Sequence, residues 1–285
     1  LELAYKLVDK AASSGADCAK FQMRSKNLYN LKNSEDLGAE YTLDLLSKFQ
    51  LENNDLFKVF DYCKEKGILP LCTPFDLESL LQLESYGMPA YKVASADLTN
   101  HILLKEMCKT GKPLICSTGM ATESEISTSI ELLKKNGANF ALLHCNSTYP
   151  APFKDINLNY LSQLKKIGGN CPIGYSGHER GVSVPVAAVS LGARIIEKHF
   201  TLDKSMEGND HKVSLLPQEL KNMVNYIREV ELAMGNNGLR TISQGEMMNR
   251  EVLAKSLIAN KSIKIGEVIL NEYIEIRSPG NGLQP

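Results

Sequence analysis

The chain has 285 residues, enough for one large domain with a small companion, and its 32 basic and 33 acidic residues leave a formal charge of −1. That balance offers no field for gathering nucleic acid or an anionic membrane, so the expected partners are small molecules and other subunits. No apolar run approaches the roughly 18 residues of a membrane span, and the seven cysteines form no Cys-x-x-Cys pair, which suits reduced thiols in a cytoplasmic protein.

Residues 1–14 open in helical periodicity without a capping residue, so a strand is expected to precede Leu1. From residue 16 onward one unit recurs: a short aliphatic run, one or two polar residues, then an amphipathic stretch. The runs lie at 16–22, 68–74, 90–95, 113–119, 140–146, 172–178 and 194–200. Helical patterns follow near 54–66, 76–86, 99–109, 123–136, 157–167, 182–191 and 217–235, with Thr122 and Asp155 as candidate N-caps. Strict alternation with apolar strands means a parallel sheet covered by helices. An open doubly wound sheet concentrates ligands at one crevice. Here Gln22, Thr73, Ser95, Ser117, Asn146, His178 and His199 all sit at C-terminal strand ends. Polar tips on every strand point instead to a TIM (β/α)8 barrel, with the strand ahead of Leu1 completing the eight.

The polar stretch 24–42 reads as a long loop over the barrel mouth. The barrel is expected to span 1–238, with a linker at 239–250 after the turn cluster at 235–238. A small β-rich module follows at 251–285, in which 261–269 alternates like a strand. That module has too few residues to bury a core by itself.

Ile173–His178 and Ile195–His199 each deliver a histidine to neighbouring strand tips. Two imidazoles can hold one divalent ion, the remaining positions going to water and substrate; without thiolates, Mn2+ or Mg2+ acting as a Lewis acid fits. Either histidine taken alone could equally be a hydrogen-bonded core residue. Strand alternation puts Glu197 on the face of His199, so an inward Glu197 needs a cationic partner, for which Lys20 and Lys92 are candidates. Ser95 falls on the opposite face from Lys92 and so belongs beyond the regular strand. The tip residues Ser95, Ser117, Asn146, Ser147 and Ser176 with the two lysines suit a phosphate and a carboxylate. Each serine alone could be a turn residue. His101, at the start of a helix, reads as structural.

The segments Lys20-Phe21-Gln22, Cys72-Thr73-Pro74-Phe75, Tyr91–Asp97, Ser117-Thr118-Gly119-Met120, His144–Pro150, Tyr175-Ser176-Gly177-His178 and Glu197–Thr201 together resemble the N-acetylneuraminate (sialic acid) synthase family, which includes legionaminate and pseudaminate synthases. The resemblance implies a TIM barrel followed by an antifreeze-like domain, here partial, in a domain-swapped homodimer. It also implies condensation of phosphoenolpyruvate with an N-acetylated hexosamine, N-acetylmannosamine or a 2,4-diacetamido sugar, with release of phosphate. The implied metal is Mn2+ (or Mg2+ or Co2+) on His178 and His199. By the same resemblance Lys20, Lys92 and Asp97 are catalytic, and Gln22, Ser95, Ser117, Asn146, Ser147, Tyr149, Ser176, Asp210 and Arg277 bind substrate. The chain departs from the family pattern in three places. Ser147 stands where the family has asparagine, Ser278 rather than arginine precedes Pro279, and the family's strand-1 glutamate would lie before Leu1, without which little activity is expected. A metal-dependent aldolase or lyase and a non-catalytic sugar-binding protein are the other readings.

Overall fold

The computed structural model describes residues 1–25 and 48–285, so the loop expected at 24–42 lies, apart from Arg24 and Ser25, outside the described residues. Two compact units emerge, Leu1–Met234 and Gly235–Pro285.

In the first unit helices and strands alternate as α1 (Glu2–Ser13), β1 (Cys18–Met23), α2 (Asn53–Glu65), β2 (Leu69–Pro74), α3 (Leu77–Tyr86), β3 (Tyr91–Val93), α4 (His101–Lys109) and β4 (Leu114–Ser117). They continue as α5 (Glu123–Lys135), β5 (Phe140–Cys145), α6 (Tyr160–Gly168), β6 (Ile173–Gly177), α7 (Ser183–Ser190), β7 (Ile196–Lys198) and α8 (Pro217–Met234). The strands pair in sequence order, β1 to β7, and every pairing is parallel. A flat sheet of seven strands would hold its edges about 29 Å apart, six spacings of roughly 4.8 Å. Yet Lys20 on β1 and Glu197 on β7 form an ion pair of 3.0 Å. The sheet is therefore curled into a half-barrel. The closing eighth strand expected from the sequence is not among the described residues.

Helix starts follow local chemistry. Thr122 and Glu125 form a reciprocal capping box at α5, and Asp76 caps α3 by accepting from Ser79 N. Asp155 does not cap α6: it closes a short 3-10 turn, and the helix begins later, at Tyr160. The main core lies between the sheet and its helices, with Phe60, Leu83, Leu104, Leu133 and Leu164 essentially solvent-free. Each such side chain contributes about 1.5–3 kcal/mol of burial. Two satellite clusters seat α1 against α2, through Val8, Ala11, Val59 and Cys63, and α7 against α8, through Val189 and Met223.

In the second unit, residues 239–250 are not a plain linker. Ser243 and Glu246 make a capping box that opens α9 (Gln244–Leu253). Strands β8 (Ser256–Ala259) and β9 (Ile274–Arg277) pair antiparallel. The alternating stretch 261–269 is not a strand. A turn at Lys264–Glu267, with Gly266 at positive φ, interrupts it, and Ile265 is fully exposed, so its alternation has no core face to follow. No helix among the described residues is long and apolar enough to cross a membrane.

Candidate active site

The strands of the half-barrel end in polar residues at one rim, where Glu197 is the hub. Its Oε1 accepts from Lys20 Nζ at 3.0 Å and from Ser176 Oγ at 3.1 Å, and Lys92 Nζ stands 3.9 Å from Oε2. Burial alone would raise the carboxyl pKa, but the two ammonium groups and these hydrogen bonds outweigh it and hold Glu197 at about 2. The partners expected from strand alternation, Lys20 and Lys92, are the ones found. Lys92 is almost solvent-free and donates to Ser117 Oγ at 2.6 Å and to its neighbour's carbonyl, Val93 O, at 2.9 Å. Burial pushes its pKa down, with Glu197 opposing.

Beside this cluster Ser95 and Ser147 converge. A Cβ placed on Gly119 would collide with Ser147 Oγ, lie 2.8 Å from Ser95 Oγ and 3.2 Å from Cys145 Sγ. Only glycine lets three strand tips close to this distance. Ser95 opens a 3-10 turn, Ser95–Asp97, just past β3, as alternation requires. Asp97 lies in the same turn and accepts from Asn100 Nδ2 at 3.1 Å, and burial raises its pKa.

The two histidines each sit one residue beyond their strands, with ring centroids 5.2 Å apart. His178 Nδ1 faces the Asn146 carbonyl at 2.6 Å, and a carbonyl only accepts, so Nδ1 carries the proton. In the neutral ring that leaves the Nε2 lone pair toward the Tyr149 hydroxyl, 2.9 Å away; burial lowers the ring's pKa, but the adjacent Cys145 sulfur and the Asn146 carbonyl outweigh it and raise the pKa overall. His199 Nδ1 lies 3.5 Å from Asp210 Oδ2, and burial drives the ring down to about 4, so it is neutral at pH 7 with a lone pair to offer. The ring spacing is one that two nitrogen–metal bonds of about 2.1 Å can bridge, so the donor set fits a divalent ion. Among the described residues no group of three or more His, Cys, Asp or Glu is arranged to hold a metal.

Other expected residues sit differently. The Asn146 side chain bonds within its own loop, donating to Asp155 O at 2.9 Å and accepting from Thr148 N at 3.0 Å. Gln22 is exposed and accepts from Arg24. Arg277 belongs to the second unit, paired with Glu275 at 2.8 Å. His101 is structural as read: its Nε2 meets Ser129 Oγ at 3.1 Å. Cys145, not singled out from the sequence, brings its sulfur 3.6 Å from His178 Nδ1 and 3.7 Å from Ser147 Oγ. Its position at the end of β5, two residues before a tip serine, is the signal that places it there.

A site built of two lysines, a buried glutamate, converging serines and paired histidines at one rim invites comparison with known proteins. The chain is 42% identical over 296 residues to N,N'-diacetyllegionaminic acid synthase of Campylobacter jejuni, covering 99% of this chain and 87% of that protein. It is 33% identical to human N-acetylneuraminate-9-phosphate synthase, over 97% of this chain and 79% of that one. The crystal structure of N-acetylneuraminic acid (sialic acid) synthetase from Leptospira borgpetersenii, in complex with citrate, superposes with a TM-score of 0.80 at 33% identity, covering 88% of this chain and 87% of the other. The NeuB family model matches residues 7–238, which contain every rim residue described above. The chain therefore belongs to the NeuB family, the N-acetylneuraminate synthases with their legionaminate and pseudaminate relatives.

Proposed function

We propose that the protein is a nonulosonic acid synthase, which condenses phosphoenolpyruvate with an N-acetylated hexosamine aldehyde to form a C–C bond and release phosphate. The observation that carries this reading is the juxtaposition of an anion cradle with a pair of metal-competent histidines. Lys20, Lys92 and the hydroxyls of Ser95, Ser117, Ser147 and Ser176 supply cationic and neutral donors for a phosphate and a carboxylate. Lys92, whose proton burial loosens, gains from a bound anion the charge compensation that Glu197 provides only partly.

His178 and His199 would hold the divalent ion, Mn2+ by preference or Mg2+ or Co2+, and when bound it supplies Lewis-acid polarisation of the aldehyde oxygen. The chain's own residues then orient the enol so that its C3 attacks the aldehyde carbon. Water adds at C2, and the tetrahedral carbon so formed expels phosphate into the lysine–serine cradle. Lys20 and Lys92 stabilise the charge that gathers on the departing phosphate. Tyr149, half exposed above both histidine rings, and Asp210 beside His199 are placed to meet the sugar.

The 42% identity to a diacetyllegionaminic acid synthase makes a 2,4-diacetamido sugar an acceptor to test beside N-acetylmannosamine. The intact protein is incubated with Mn2+, phosphoenolpyruvate and a panel of N-acetylated hexosamines, and phosphate release is followed. Turnover with a 2,4-diacetamido sugar supports the reading, and no release with any member of the panel overturns it. The second unit, with Arg277, we read as part of an antifreeze-like domain that serves a partner subunit's site in a homodimer. A strictly monomeric mass by light scattering would overturn that assignment.

A further inference from the structure

Behind the two histidines, on the other side of their strands, lies a fully buried ion pair. Glu179 directly follows His178 and Lys198 directly precedes His199. Lys198 alternates with Glu197 on β7 and so points away from the rim cluster that Glu197 joins, and the Glu179 carboxylate meets it there beside the buried Tyr175. Both side chains are 1% exposed, and Lys198 Nζ bonds Glu179 Oε1 at 2.9 Å and also Glu179 O, the backbone carbonyl one residue beyond His178, at 2.5 Å. The second carboxylate oxygen, Oε2, accepts from Tyr175 OH at 2.6 Å. Gly177 makes room for the arrangement, since a Cβ there would lie 2.6 and 2.8 Å from the two carboxylate oxygens and 2.7 Å from the Tyr175 ring.

A buried ion pair is a poor device for stability, because desolvating two charges offsets much of their attraction and an apolar pair of similar volume does as well. Its placement suggests a different use. The β6–β7 ladder ends at Gly177↔Lys198, so neither His178 nor His199 is held by strand pairing between the two tips. The Lys198 side chain crosses from β7 to the Glu179 peptide and replaces the missing rung.

We propose that Glu179, Lys198 and Tyr175 form a clamp that sets the spacing of His178 and His199, making them positioning residues for the divalent ion that these histidines would hold. The inference rests on the metal reading above, and its test separates the two. Lys198→Met alone strands a buried carboxylate, so the informative variant is the double substitution Lys198→Met/Glu179→Gln, which removes both charges and keeps the volume. Tyr175→Phe is the gentler probe, deleting only the hydroxyl that holds Oε2.

Titration of each protein with Mn2+ alone, followed by the electron paramagnetic resonance of the free ion, reads affinity without turnover. For the double variant the expected result is an unchanged thermal midpoint with Mn2+ affinity weakened about tenfold or more, the scale on which supporting residues act at metal sites. Tyr175→Phe moves in the same direction by a few-fold. Affinity within twofold of wild type in both variants overturns the clamp. Should wild type and His178→Ala bind Mn2+ equally poorly, it is the metal reading that fails. Crystal structures of the variants then decide the clamp on their own: a retained 5.2 Å ring spacing refutes it, and a changed spacing supports it.

Discussion

Glu197→Gln is the most direct test of the electrostatics at the rim. The substitution keeps the shape and a hydrogen-bond acceptor but removes the charge that compensates Lys20 and Lys92. The folded protein holds this carboxyl at about 2 against an ordinary 4.5, and its side chain is only 18% exposed, so solvent screening is modest. At 1.36 kcal/mol per pKa unit, the ionised form contributes about 3 kcal/mol at neutral pH. A carboxylate with a depressed folded-state pKa contributes stability that is fully present above its unfolded value and is lost as pH falls toward the folded one. For Glu197 that window runs downward from 4.5 to about 2. Urea unfolding of wild type and Glu197→Gln at pH 7 and pH 3 reads it directly. Wild type is expected to be more stable by about 3 kcal/mol at pH 7, with the gap shrinking to roughly half or less at pH 3. An equal gap at both pH values, or none at pH 7, refutes the reasoning that the two lysines hold this charge in place.

Gly119→Ala drives a methyl group into the Ser95 and Ser147 hydroxyls and the Cys145 sulfur. Because those hydroxyls can rotate, the melting temperature should change little while KM for phosphoenolpyruvate rises tenfold or more; unchanged kinetics would take Ser95 and Ser147 out of the cradle. Tyr149→Phe removes the hydroxyl that faces the His178 Nε2 lone pair, so Mn2+ affinity should hold or improve. A tenfold loss on calorimetric titration would instead make that hydroxyl part of the ion's binding. His101→Ala deletes a helix-to-helix hydrogen bond to Ser129, remote in role from the rim, and is expected to cost about 1 kcal/mol in denaturant melts with phosphate release unaltered. Thr122→Ala, which opens the capping box of α5, is expected to cost about as much again in the same melts, and no measurable cost would mean the box adds nothing to that helix.

Strand order, parallel pairing and the polar rim were all legible along the chain, because each depends on residues close in sequence. An apolar run ending in Ser117 or His178 carries its own period, and alternation alone put Glu197 on the face of His199. The same logic even placed Ser95 beyond its strand. It failed where a pattern had no core to obey: the alternation at 261–269 met solvent, not a second layer, and became turn and irregular chain. The orientation of Asn146 was open for a related reason. A tip asparagine can turn to a substrate or to its own loop, and the carbonyl of Asp155 nine residues on decided for the loop.

What the sequence determined by itself is the alternation of strands and helices, the half-barrel's strand order, and the inventory of chemistry at the rim. Only the tertiary structure decided which of those groups meet. Lys20 and Glu197 are 177 residues apart, and no local pattern specifies that the curl of the sheet brings them within 3.0 Å. The same holds for Ser95 and Ser147 over Gly119, and for the Glu179–Lys198 pair behind the histidines. Local propensity operates over a few residues, whereas the distance between strand tips is set by how the whole sheet curls, and it is that curl which turns separate polar ends into one site.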